Sequence, residues 1–93
     1  MEIQRRDDGR KGKFFIEENG KVVAEMTYVW AGTVKIIIDH TEIDKSLQGK
    51  NVGKKLVETA VKFARETGIK ILPLCPFAKS VFDKTPDYAD VLN

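Results

Sequence analysis

One imidazole, one thiol and one glycine-bearing basic loop are the groups in this 93-residue sequence whose chemistry extends beyond packing. His40 is the only side chain that ordinarily titrates near neutrality, which suits it to take or give a proton. Cys75 is the single cysteine, and two readings stand side by side: an acyl-accepting nucleophile or a small core residue. A free thiol is only a few per cent ionised at pH 7, so a nucleophilic role requires help. His40 is one source of that help, and the start of a short helix after Pro76 is another. Glu42 is a weaker base, and its ordinary reading is a solvated charge at a strand end.

The loop Leu47-Gln48-Gly49-Lys50-Asn51-Val52-Gly53-Lys54-Lys55-Leu56 places two glycines four apart where a helix begins. First-turn N–H groups have no helical partner and carry the positive end of the helix dipole, a combination that suits a pyrophosphate. Residues 45 to 70 hold seven Lys or Arg against Glu58 and Glu66, a local excess of five positive charges. A polyanionic ligand fits that field. The glycine spacing matches neither the Walker loop nor the dinucleotide fingerprint. The plain alternative is a glycine-bearing turn followed by a solvated basic helix face.

The elements that must position these groups follow from periodicity. The first dozen residues are polar and predict a ragged start. Phe14 and Ile16 alternate with Phe15 and Glu17, and Asn19-Gly20 supplies a hairpin turn. Val22, Ala24, Met26, Tyr28 and Trp30 form one face of a second strand. Val34 to Ile43 makes a third, β-branched and apolar enough at its centre to lie inside a sheet. On this strand His40 shares a face with Val34, Ile36 and Ile38, so the imidazole is expected to be buried and neutral. Helical spacing then takes over from about Asn51 to Thr67, with Gly68 as the C-terminal cap. Ile69 to Leu74 is a short strand in which Pro73 points to an edge or a bulge. Phe77 to Lys84 predicts a short helix, and Pro86 to Leu92 a last turn.

The third strand, the helix and the strand after it form a β-α-β unit. Its connection of residues 44 to 68 is long enough for a crossover, so the two strands should be parallel. Their C-terminal ends then share the sheet edge where open α/β sheets bind ligands. His40, Glu42, Cys75 and the glycine loop converge there.

Composition bounds the remaining possibilities. Hydrophobic residues are 42% and charged residues 32%, which describes one globular domain over residues 1–93. A net charge of +2 names no partner, and no apolar run approaches a membrane span. One cysteine and one histidine do not make a structural zinc site. The start lacks the apolar segment of a signal peptide, so a cytoplasmic domain is expected. A core this small leaves room for stabilisation by a ligand or by a homodimer, with Trp30 a candidate contact. The other aromatics read as core. A nucleic-acid surface on Lys50, Lys54, Lys62 and Arg65 ranks low, because such proteins carry more positive charge and exposed stacking rings.

At the glycine loop the sequence resembles the GNAT acetyltransferase superfamily, whose acetyl-coenzyme A motif is Gln or Arg, two residues, Gly, one residue, then Gly or Ala. Gln48 and Gly53 match, and Asn51 replaces the middle glycine as the residue that best tolerates positive φ. The likeness is closer to a minimal branch of roughly 90 to 100 residues. Asp39-His40-Thr41 and Cys75-Pro76-Phe77 carry it, with Pro86-Asp87-Tyr88 near the end, over about residues 13 to 92.

The resemblance implies an α/β (α+β) fold, a GNAT-like mixed sheet with an antiparallel N-terminal meander, a β-α-β unit and short C-terminal helices. It implies an N-acetyltransferase that binds acetyl-coenzyme A and acts on an unidentified amine. The backbone near Glu42 and Ile43 would hold the pantetheine arm, and Gln48, Gly49, Lys50, Asn51, Val52, Gly53 and Lys54 the pyrophosphate. His40 becomes the base or thiol activator and Cys75 the candidate acyl carrier, or a thiol beside the coenzyme's sulfur. The helices and hairpin that shape the acceptor pocket of larger relatives have no counterpart here, so the acceptor site should be open or completed by a partner. The alternative expectation is a non-enzymatic acyl-coenzyme A binding module.

Overall fold

The computed structural model describes residues 2–93. Five strands, β1 (Gln4–Asp7), β2 (Lys11–Glu18), β3 (Lys21–Trp30), β4 (Lys35–Ile43) and β5 (Lys70–Pro73), form one sheet in the order of the chain. The first four are antiparallel neighbours, and β4 and β5 are parallel. Helix α1 (Val52–Thr67) makes the crossover between them, and α2 (Pro76–Lys84) follows β5. This is the mixed sheet that the sequence predicts. No helix among the described residues is long and apolar enough to cross a membrane.

The start of the chain departs from expectation. Residues 4–7 are not ragged but form β1, paired with β2 from Gln4↔Phe15 to Asp7↔Gly12. Asp8 and Gly9 build the turn: Asp8 Oδ1 accepts from the N–H groups of Arg10 and Lys11, and Gly9 takes φ +92°. Asp7 then binds the strand down, accepting from Tyr28 Oη (2.6 Å) and Trp30 Nε1 (2.8 Å). Trp30 is therefore held within the chain and packs against the core. Tertiary contacts, not local apolarity, make this strand.

The helices cover one face of the sheet. Phe14, Ile16, Met26, Tyr28, Ile36, Ile38 and Ile71 pack against Leu56, Val57, Ala60, Val61 and Ala64 of α1 and Ala78 and Phe82 of α2. Each fully buried Leu, Val or Ile contributes on the order of 1.5–3 kcal/mol. α1 ends at Gly68, whose φ of +73° suits the left-handed cap position predicted for it. The C-terminal segment returns to the β5 edge, where Leu92 pairs with Ile71 and Asn93 N–H donates to Ile71 O.

One irregularity in β4 decides the site. Thr27 pairs with His40 and Tyr28 with Ile38, so Asp39 is an extra residue that bulges out of the ladder. Before the bulge Ile36 and Ile38 point to the helices. After it Thr41 and Ile43 do, while His40 and Glu42 point to the opposite, helix-free face. This corrects the expected burial of His40, because a one-residue bulge inverts the alternation that placed it with Ile36 and Ile38. Its side chain is 61% exposed. Val34 is likewise exposed and lies just before the strand.

Candidate functional site

β5 pairs with β4 only from Lys35↔Lys70 to Ile38↔Pro73. Leu74 and Cys75 both donate their N–H to Ile38 O, which closes the pairing. Beyond that point β4 runs on alone from Asp39 to Ile43, roughly 15 Å of strand with no neighbour on the β5 side. Asp44 N–H donates to Val23 O, so by strand alternation His40 and Glu42 also turn their amides to β3. The amides of Thr41 and Ile43 face the gap. An extended ligand laid there meets an open strand edge.

The gap leads to the head of α1. Gly49 (φ +82°) and Asn51 (φ +58°) bend the loop, and the first helical bond runs from Lys55 N–H to Asn51 O. Among the described residues, the N–H groups of Asn51, Val52, Gly53 and Lys54 have no backbone acceptor. No acidic side chain sits in the first turn to compete for them. A negatively charged group is the natural occupant of such a turn.

A groove of about 470 Å³ joins these features. One wall is Ile43, Leu47, Gln48, Gly49, Asn51, Gly53 and Lys54; the other is the face of α2 bearing Phe77, Ser80, Val81 and Lys84. The absence of a side chain at Gly53 shapes the floor. A Cβ there would lie 2.5 Å from Phe77 Cζ and 2.9 Å from Ile43 Cδ1. The groove thus carries apolar walls along its length, unbonded N–H groups at one end and two lysines at its rim.

The predicted site residues divide between this groove and the other face of the sheet. Ile43, Gln48, Gly49, Asn51, Gly53 and Lys54 line the groove. Val52 turns its side chain into the core and offers only its N–H, while the Lys50 side chain is exposed near the loop. The Glu42 side chain lies on the helix-free face, and of the backbone around Glu42 and Ile43 the amides of Thr41 and Ile43 face the gap. His40 Nε2 is 3.5 Å from Glu42 Oε2 on that helix-free face. Cys75 is buried on the helix side and its Sγ donates to Thr41 Oγ1 at 3.3 Å. The structure therefore separates His40 from Cys75 by the thickness of the sheet.

Two parts of the site escaped the sequence reading. The α2 wall was readable as a helix but not as a ligand-facing one, although residues 77, 80, 81 and 84 share a helical face. Asp39 carried no role, yet its Oδ1 accepts from Thr27 Oγ1 (2.6 Å) beside His40. No group of three or more metal-binding side chains occurs among the described residues.

Comparison with known proteins agrees with this fold. No curated protein matches the chain. A GCN5-like candidate N-acetyltransferase from Staphylococcus aureus, solved by NMR, is 38% identical over 99% of this chain and 87% of its own, with a TM-score of 0.72. The ribosomal-protein-alanine N-acetyltransferase of Brucella melitensis biovar Abortus shares the fold at 15% identity and a TM-score of 0.68, over 83% of this chain and 62% of its own. A predicted acetyltransferase from Clostridium acetobutylicum, solved with acetyl-CoA, does so at 19% identity and 0.61, over 80% and 55%. The two larger enzymes share only the fold. The profile of the GCN5-related N-acetyl-transferases spans residues 13–91, from β2 to the end of the last turn, and therefore takes in both strands of the gap, the loop and the α2 wall. This chain belongs to the GCN5-related N-acetyltransferase family.

Proposed function

We propose that the groove binds acetyl-coenzyme A and that the domain passes its acetyl group directly to a primary amine arriving on the helix-free face. The observation that carries this reading is the gap beyond Ile38 and Cys75, continuous with the unbonded N–H groups of α1. Asn51, Val52, Gly53 and Lys54 would hold the pyrophosphate through their amides. Thr41 and Ile43 would bind the pantetheine amides as a neighbouring strand does, with Phe77 and Val81 against its apolar parts. The coenzyme supplies an activated acetyl thioester at the gap.

His40 takes one proton from the arriving ammonium, freeing the lone pair that attacks, and Glu42 at 3.5 Å orients the imidazole. The C–N bond forms as the C–S bond breaks, and the second proton that the nitrogen gives up reaches the leaving thiolate through solvent. Direct transfer is favoured over an acyl-cysteine intermediate by one fact of geometry: Cys75 is buried, bonded to Thr41 and out of reach of His40.

The test is to incubate the protein with acetyl-coenzyme A and an amine panel, following intact mass, acetyl-coenzyme A affinity and product. Wild type and Cys75→Ala should both acetylate an amine and gain no acetyl mass. His40→Ala should lose about 10²-fold in rate with unchanged affinity for acetyl-coenzyme A. An acetyl adduct that disappears in Cys75→Ala would establish a covalent route instead. Binding without transfer to any amine would leave a passive acyl-coenzyme A module, and no binding would overturn the reading altogether.

A further inference from the structure

The face of the sheet opposite the helices is uncovered, and its side chains are arranged in rows. Cross-strand partners share a face, so Lys11, Val29, Ile37 and Leu72 lie in one line from β2 to β5. Val29, Ile37 and Leu72 are half-buried without any element packed over them. Leu74, just beyond the end of β5 and next to the inward-facing Cys75, is 61% exposed beside the gap.

The next row is polar and mostly acidic where it meets the gap. The bulge places Asp39 and His40, consecutive in sequence, on this same face, with Glu42 one step further along β4. Asp39 Oδ1 is held by Thr27 Oγ1, and a depression of about 480 Å³ opens next to it, with Glu25, Thr27, Val29 and Asp39 towards the gap and Arg6, Lys11 and Lys13 towards β1 and β2. Arg6 and Lys13 lie over the Phe15 ring, each 5.1 Å from its centre, and Lys13 is paired with Glu25 at 3.8 Å, so Asp39 and Glu42 are the carboxylates beside the gap.

We propose that the acceptor is a small amphipathic primary amine, with its ammonium group between Asp39 and Glu42 and its hydrocarbon body over Leu74, Leu72, Ile37 and Val29. This rests on the transfer function proposed above and names the class of acceptor for it. The charge is complementary, and the apolar row starts at the carboxylates instead of surrounding them. Val29 to Leu72 crosses three strands, about 10 Å, and Lys11 closes the far end. A body of roughly six to eight carbons fills that length. A polyamine, charged along its whole length, does not.

The experiment has two independent arms on the full chain. In the first, side-chain methyl NMR follows titration with propylamine, butylamine, hexylamine and spermidine, without acetyl-coenzyme A. Hexylamine should shift the methyls of Val29, Ile37, Leu72 and Leu74, propylamine should do so far less, and spermidine should leave them unmoved. In the second, kcat/KM for acetylation should rise about threefold for each methylene from propylamine to hexylamine. Leu74→Asn should flatten that slope, and Asp39→Asn should raise KM for hexylamine about tenfold while leaving acetyl-coenzyme A affinity unchanged.

Methyl shifts without acetylation would sustain the docking inference and overturn the transfer reading. Acetylation with no chain-length dependence and no shift at these methyls would overturn the inference and leave transfer standing. A stable dimer in sedimentation that protects these methyls from hexylamine would also overturn it, because a second copy would then occupy the face.

Discussion

Asn51 gives a sharp test of how the loop before α1 is built. It occupies the N-cap position yet has φ +58° and ψ +27°, and its side chain makes no capping hydrogen bond. At an ordinary N-cap the backbone is extended and the side-chain oxygen binds an N–H of the first turn, so Ser serves about as well as Asn. Here the backbone is left-handed, where a non-glycine residue carries roughly 1–2 kcal/mol of strain and Asn carries less than most. Asn51→Ser should therefore cost about 1 kcal/mol, since it loses left-handed tolerance and no cap exists to preserve. Asn51→Gly should be neutral or slightly stabilising. For a chain of 93 residues, 1 kcal/mol corresponds to a fall in Tm of about 4–8 °C. Thermal unfolding by far-UV circular dichroism resolves that shift, and urea titration checks it. The same exchange at Asn19, φ +53° in the β2–β3 turn, provides a control that should behave alike. A serine variant at position 51 as stable as wild type would refute the reasoning, for it would mean that the loop relaxes to a capped, extended form.

Two further predictions concern the fold around the site. Burial alone would raise the Asp7 carboxyl, but hydrogen bonds from Tyr28, the Gly9 N–H and Trp30, with the Arg5 charge, outweigh it and hold the group below the ordinary carboxylate range. A depressed folded value means that its contribution is full above the unfolded value near 4 and is lost as pH falls through the lower folded one. Asp7→Asn should lose about 1–3 kcal/mol at pH 7 and show a weaker decline of stability below about pH 4, measured by urea unfolding across that range. The opposite sign holds for the hydroxyl of Tyr28, pushed up to about 12 by burial and by its bond to Asp7, so it stays protonated through mild alkali. At the other end of the chain, Arg65 grips the C-terminal segment through Asp90 (3.0 and 2.8 Å) and Asp87 O (2.7 Å). Both partners are about half exposed, so Arg65→Ala should lower stability only slightly, less still in high salt. A loss that salt does not change would mean that buried packing, not charge, holds the segment.

Much of this was legible in the residues. Period-two alternation found β2, β3 and β4, and period 3.6 with Gly68 found α1 and its end. The length of the connection after Ile43 required β4 and β5 to be parallel. Gly49, Asn51 and Gly53 marked the turn before α1 because such residues suit left-handed or closely approached backbone there. β1 was not legible, since Gln4-Arg5-Arg6-Asp7 has no alternating apolar face. It is a strand because Asp7 binds Tyr28 and Trp30 and because Arg6 lies over Phe15, 5.1 Å from the ring centre.

The sequence by itself determined the fold class, the crossover and the glycine-bearing loop before α1, because each depends on neighbours close along the chain. Only the tertiary structure decided what the reactive residues face. A bulge is a mismatch between two strands, and nothing within Ile38-Asp39-His40-Thr41 reveals how Thr27 and Tyr28 will count against it. That single extra residue turns His40 and Glu42 to the open face beside Asp39 and leaves Cys75 with Thr41 on the other. The imidazole and the thiol, which periodicity alone brought together, are in the folded chain a sheet apart.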